Sequence, residues 1–322
     1  MPLYKFTIAL LTVIMFTHVA AQSPLGNTKR ILFIGNSITY AGGYVTDVEA
    51  YFMKNYPNSS CEFINAGLPS ETVSGLSEPG HAGGRFPRPD LHERLDRLLK
   101  LVKPDIVFAC YGINDGIYMP FDQQRFIAFQ NGINWLHQTL VATGVKRIIH
   151  ITPFVYDDSK TRTKGYNDVI TLYSNWLVKQ TRKQKWEVID LHRSMTAALE
   201  EGIKKDSSFQ FAKDGIHPGM EGHWLAAKQL LRYLKQPCNE DINIALLANE
   251  NDRQRYKLIA NQQAIMKDAW LSAAGHLRPD MNKGLPLQEA LQKYKEIETQ
   301  IIQLSNTKPG ELKQQLLPAA SR

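Results

Sequence analysis

Five short apolar runs recur along the chain: RILFIG (30–35), CEFINAG (61–67), DIVFACYG (105–112), RIIHITP (147–153) and WEVIDL (186–191). They are rich in Ile, Val and Phe and continuously apolar, the pattern of strands covered on both faces. Segments with helical spacing fall at about 45–56, 90–103, 122–143, 161–183 and 219–235. This alternation predicts an α/β fold with a five-stranded parallel sheet and helices on both sides. In such a sheet the ligand site lies beyond the carboxyl ends of the strands, so the residues just after each run carry the interest.

Two stretches depart from the alternation. Between Gly67 and Pro89 the chain reads LPSETVSGLSEPGHAGGRFPRP, a Gly-, Pro- and Ser-rich loop of the length that tends to be functional. From 241 to 322 strand-like runs cease, and Lys, Gln, Glu, Leu and Ala predict a helical extension with helices at about 243–273 and 287–305. At the other end, Lys5, the apolar run FTIALLTVIMFTHV and Val19-Ala20-Ala21 read as a cleavable signal peptide ending at residue 21. The expected organisation is thus a signal peptide (1–21), an α/β domain (22–240) and the extension (241–322), in an exported, periplasmic or secreted protein without a stable membrane anchor.

Composition narrows this picture only a little. With 43% hydrophobic residues the chain can bury a full core. The net charge of +7 is spread among acids without a basic stripe, so no nucleic-acid partner is expected. Cys61, Cys110 and Cys238 are too few for a disulfide framework, and Cys61 and Cys110 read as small buried apolar residues. No cysteine–histidine cluster has zinc spacing, and neither a metal nor an organic cofactor is expected. Asn58-Ser59-Ser60 is a glycosylation sequon.

The chemistry gathers at the strand ends. Ser37 follows the first run, Gly67 closes the second, Asn114 follows the third, and Asp214 stands three residues before His217 in KDGIHPG. A serine hydroxyl becomes a nucleophile when a base takes its proton, and an imidazole does this when a carboxylate fixes its tautomer. An oxyanion needs preorganised donors, which the backbone N–H groups of Ser37 and Gly67 and the Asn114 amide can supply.

The blocks FIGNSITY, NAG, YGIND and DGIHP resemble, in order and separation, the four signature blocks of the SGNH (GDSL-like) hydrolases. The resemblance covers about residues 29–236 and leaves out the extension. It implies a flavodoxin-like three-layer α/β/α sandwich. It also implies Ser37 as nucleophile, His217 and Asp214 as its triad partners, and an oxyanion hole of Ser37, Gly67 and Asn114. Two positions depart from the family pattern. Asn36 replaces the usual acid before the nucleophile, and Ser70 stands where a second glycine is usual, an expected narrowing of the site.

Arg85 in the long loop, Tyr118 after NDGI and His192 after the fifth strand are the candidates for substrate contact, against the plainer readings of surface charge, loop packing and core. His150, Trp270 and His276 read as packing residues. The expected activity is hydrolysis of small acyl esters, O-acetyl groups on carbohydrates first. The alternatives are a lipase, thioesterase or arylesterase with the same site, or an inactive polysaccharide-binding protein on a hydrolase fold. Oligomeric state stays open.

Overall fold

The computed structural model describes residues 25–57, 59–161 and 163–306. The expected signal peptide, Asn58 of the sequon and the chain after 306 lie outside the described residues. The five apolar runs form strands β1 (Arg30–Gly35), β2 (Glu62–Asn65), β3 (Ile106–Cys110), β4 (Arg147–Ile151) and β5 (Glu187–Ile189). All neighbours pair in parallel, in the order β2-β1-β3-β4-β5. Every residue of β3 is buried, as a central strand with helices on both faces requires. The order reverses direction between β1 and β3, the switch point beyond which open α/β sheets place a ligand.

Helices α1 (Ser37–Ala41), α2 (Gly43–Asn55), α3 (Leu95–Val102), α4 (Gln123–Ala142), α5 (Tyr166–Lys183), α6 (Leu191–Lys205) and α7 (Met220–Tyr233) complete the three-layer α/β/α fold. Two of these were not read from the sequence. The segment LHRSMTAALEEGIKK folds as α6, capped by the Asp190 side chain on the Arg193 N–H. The first turn after β1 is the five-residue α1, which Gly42 ends in a left-handed conformation (φ 79°). Asp190 has the residue type of an N-cap, whereas Gly42-Gly43 hides a helix too short to show a period.

The C-terminal extension folds as α8 (Ile242–Ala245), α9 (Glu250–Ala274) and α10 (Leu287–Asn306). The single long helix expected near 243–273 breaks at Leu246–Asn249, where Asn249 caps α9 through the Asp252 N–H. Helix α9 packs on α2, β2 and α3, and α10 packs on α9. Ile259, Met266 and Trp270 of α9 are buried in the same apolar cluster as the sheet. Cys61 and Cys110 are buried and unbridged. Among the described residues no helix is long and apolar enough to cross a membrane.

Candidate active site

Strand β1 delivers Ser37 through a turn that the local sequence explains. The buried Asn36 side chain accepts the Ile38 N–H at 3.1 Å, capping α1. Asn and Asp serve this purpose equally well, which accounts for Asn36 where an acid is usual. Ser37 is then the first residue of α1, and its N–H has no partner within the helix. The strand must also end in glycine here, because a Cβ on Gly35 would sit 2.8 Å from the Cys110 carbonyl oxygen and 2.3 Å from Thr39 Oγ1.

His217 Nε2 lies 2.8 Å from Ser37 Oγ, and His217 Nδ1 lies 2.7 Å from Asp214 Oδ2. A carboxylate only accepts, so Nδ1–H donates to Asp214 and Nε2 is free to accept the serine proton. The Asp-x-x-His spacing produces this arrangement locally. Asp214 Oδ1 accepts the N–H groups of Ile216 and His217 at 2.9 and 2.8 Å, closing a tight turn. Gly215 takes the left-handed conformation inside that turn (φ 76°). Burial works against the Asp214 charge, but the His217 ring and these two N–H groups outweigh it and hold the carboxyl below its usual range. Both side chains are about half exposed, and an open concavity of about 570 Å³ lies beside them, lined by Phe211, Lys213, His217 and Met220 among others.

The expected oxyanion donors are less simple. Asn114 is buried, with its Nδ2 donating to the Glu71 carbonyl at 3.0 Å and its Oδ1 accepting the Tyr118 hydroxyl at 3.0 Å. One N–H of its amide is left to point elsewhere. The Gly67 N–H is already engaged, donating to Asn65 Oδ1 at 3.0 Å, so it is not the open donor expected from the sequence. Packing accounts for this glycine, since a Cβ there would lie 2.4 Å from the Tyr40 nitrogen. An oxyanion would share or displace the Asn65 contact.

Of the expected substrate contacts, Arg85 is exposed and pairs with Asp280 of the extension at 2.8 Å. Tyr118 is packed rather than open, stacked on Tyr166 with the Arg88 guanidinium over its ring. Its place in the structure is behind Asn114. His192 is 3% exposed and bonds Thr171 Oγ1 at 2.8 Å, so it lies in the interior and faces no open site. The reason is α6, which packs on α5 and turns His192 toward Thr171 of that helix. His150 and Trp270 are buried, as read.

Ser70 adopts a left-handed backbone (φ 67°). A glycine suits this position because only glycine takes that conformation without strain, so the departure at Ser70 is a backbone matter and not a narrowing of the site. Residues the sequence reading passed over also converge here. Asp115 Oδ1 accepts the N–H groups of Val73 and Ser74, both at 2.9 Å, tying the long loop to the end of β3. Glu71 and Arg94 form a fully enclosed ion pair behind the same loop. Glu71 was visible as an acid in a glycine-rich loop, but nothing in the sequence marked Arg94 as its partner.

The profile of the GDSL-like Lipase/Acylhydrolase family matches residues 33–225, more than half of the chain and all four blocks. An acetylxylan esterase from Geobacillus stearothermophilus is 27% identical over 228 residues, covering 65% of this chain and 94% of its own length. Among solved structures, that organism's acetylxylan esterase Axe2 superposes with a TM-score of 0.50 at 21% identity, over 65% of this chain and 95% of its own. LAE5, an α/β hydrolase enzyme from the Lake Arreo metagenome, gives 0.51 at 22% identity, over 64% and 95%. A gut microbial diltiazem-metabolizing enzyme gives 0.52 at 21% identity, over 64% of this chain and only 47% of that one. At these identities the structural likeness establishes the fold. The chain belongs to the GDSL-like lipase/acylhydrolase family, the SGNH hydrolases, and is a carboxylic ester hydrolase.

Proposed function

We propose that this family member is an exported serine esterase that removes small acyl groups, O-acetyl above all, from carbohydrates through an acyl-enzyme. The observation that carries the reading is the unbroken contact from Asp214 through His217 to Ser37, at 2.7 and 2.8 Å. In the first step Ser37 Oγ attacks the ester carbonyl while His217 Nε2 takes its proton. Asp214 keeps the imidazole in the required tautomer and stabilises the imidazolium. The oxyanion accepts from the Ser37 N–H and the remaining Asn114 N–H, with the Gly67 N–H drawn from Asn65. The tetrahedral intermediate collapses as His217 returns the proton to the departing sugar oxygen. Water, deprotonated by the same imidazole, then releases the carboxylic acid.

The preference for acylated carbohydrate rests on similarity to the acetylxylan esterase, on the open concavity beside His217, and on the signal-like N-terminus. A polymer or oligosaccharide can rest in an open concavity beside His217 while presenting one acetyl group to Ser37.

The test compares acetate release from a panel of acetylated polysaccharides and sialic acids with a chain-length series of nitrophenyl esters. Acetate should lead the series, and a strong preference for octanoate or longer would favour the lipase alternative. Ser37→Ala should lower kcat by about 10⁴-fold or more while far-UV circular dichroism is retained. Wild-type turnover in that variant would remove Ser37 from the mechanism. Export is checked by recovering the protein outside the cytoplasm with an N-terminus at Gln22.

A further inference from the structure

Glu71 and Arg94 are both wholly enclosed, and their pairing is a two-pronged fork, Arg94 Nε to Oε1 at 2.6 Å and Nη2 to Oε2 at 2.7 Å. The Tyr111 hydroxyl donates to the same carboxylate at 2.6 Å. Taking two charges out of water is costly, and a well-packed apolar pair often serves stability as well or better. The work of this pair therefore lies in what it holds.

Two of the hydrogen bonds that leave the cluster end on the groups that carry the expected oxyanion donors. Arg94 Nη2 donates to the Ala66 carbonyl at 2.8 Å. That carbonyl and the Gly67 N–H belong to one planar peptide unit, so fixing the oxygen fixes the direction of the N–H. The Glu71 carbonyl accepts one hydrogen of Asn114 Nδ2 at 3.0 Å, which sets the direction of the other in the same planar amide. Asn65 Oδ1 and the Tyr118 hydroxyl hold the opposite ends of these two groups.

We infer that Glu71 and Arg94 are positioning residues for the oxyanion hole, orienting the Ala66–Gly67 peptide and the Asn114 amide toward the oxygen that Ser37 attack creates. The inference rests on the serine esterase reading above. Arg94 fixes the peptide through its carbonyl, and Glu71 fixes both Arg94, through its carboxylate, and Asn114, through its backbone. Neither residue touches substrate. Their effect falls on the oxyanion, a charge present only in the transition state and intermediate, so it belongs in kcat and not in KM.

The full chain is tested with nitrophenyl acetate, with rates expressed per active site titrated by an organophosphate. Arg94→Lys keeps a cation opposite Glu71 but loses the fork that also reaches Ala66. The double variant Glu71→Gln/Arg94→Met removes both charges, so no unpaired charge is left buried, and it keeps the Glu71 backbone carbonyl. Each should lower kcat about 10- to 100-fold, below or at the loss of one whole donor. KM should change less than about threefold, and the pH dependence of kcat should keep its midpoint, because the base is untouched. Affinity for phenylboronic acid, whose tetrahedral adduct on serine places an oxygen in the same hole, should fall with kcat. Wild-type kcat per titrated site in whichever variant folds would overturn the inference, leaving the pair a structural one. Ser37→Ala is measured alongside: wild-type turnover there sinks the esterase reading itself, whereas a dead Ser37→Ala with an undiminished Arg94→Lys sinks only the positioning.

Discussion

The Tyr40 hydroxyl donates to Asp268 Oδ1 at 2.8 Å, joining the helix that begins with Ser37 to the C-terminal extension. Lys267 lies over the same ring, its Nζ 3.8 Å from the centroid. Arg278 Nε reaches the Pro69 carbonyl at 3.0 Å, two residues after Gly67. The extension is thus tied both to α1 and to the loop that follows Gly67.

Tyr40→Phe should therefore weaken the attachment of α9 without changing the core. A hydrogen bond to a charged acceptor contributes about 1–3 kcal/mol, and this one is partly exposed, so a loss of about 1–2 kcal/mol is expected in denaturant unfolding. Amide exchange should quicken at Tyr40–Gly43 and Lys267–Trp270. Exchange unchanged in both segments would show that the bond does not hold them together.

The seam between α2 and α9 makes stability depend on pH. Burial pushes the Glu49 carboxyl up to about 8, against the Gln263 bond, with Glu62 and Glu298 adding to the rise. Burial likewise raises Asp47 to about 7, opposed by the bond from the Tyr256 hydroxyl. Folded, both acids keep protons that the unfolded chain releases near its ordinary values of about 4. Their contribution is complete below that pH, falls as the pH rises through about 7 and 8, and is level beyond. Unfolding free energy measured from pH 5 to 8.5 should decline in the wild type and decline less in Asp47→Asn/Glu49→Gln. Identical slopes would place the loss elsewhere.

Gly67→Ala tests whether the second block acts by shape. The added Cβ would meet backbone atoms, Tyr40 N at 2.4 Å and the Thr39 carbonyl carbon at 2.7 Å, so α1 has to move and Ser37 with it. A displacement near 1 Å can cost about a hundredfold in rate, and kcat toward nitrophenyl acetate should fall about 10- to 100-fold. Full activity would mean that the close approach is not needed.

Ser70→Gly should do the opposite for stability. A left-handed conformation costs an ordinary residue about 1–2 kcal/mol, part of which the greater freedom of unfolded glycine cancels. A net gain of about 0.5–1 kcal/mol is expected in chemical denaturation. A loss would show that Ser70 makes contacts worth more than its strain.

Much of the architecture is legible in the sequence for local reasons. The runs RILFIG and DIVFACYG name their strands because a doubly covered strand must be apolar on both sides. Helix α6 escaped because it follows a strand with Asp190 alone between them, so no loop separates the two patterns. Asp214 and His217 are legible for the same local reason, since three residues suffice to close the turn that brings imidazole and carboxylate together. His192 was misplaced because proximity to a strand end does not say which way a helix folds the side chain.

What the sequence by itself determined is the five strands, the longer helices between most of them and the small set of residues at the strand ends. Burial periodicity and turn chemistry are written within a few residues, so a linear reading reaches them. Only the tertiary structure decided that Arg94 Nη2 reaches the Ala66 carbonyl, that Arg94 rather than any other cation pairs with Glu71, and that Tyr40 meets Asp268. Such pairings depend on which surfaces meet when the layers close. A buried polar group must then take the partner that the packing leaves within reach, and no spacing along the chain records that choice.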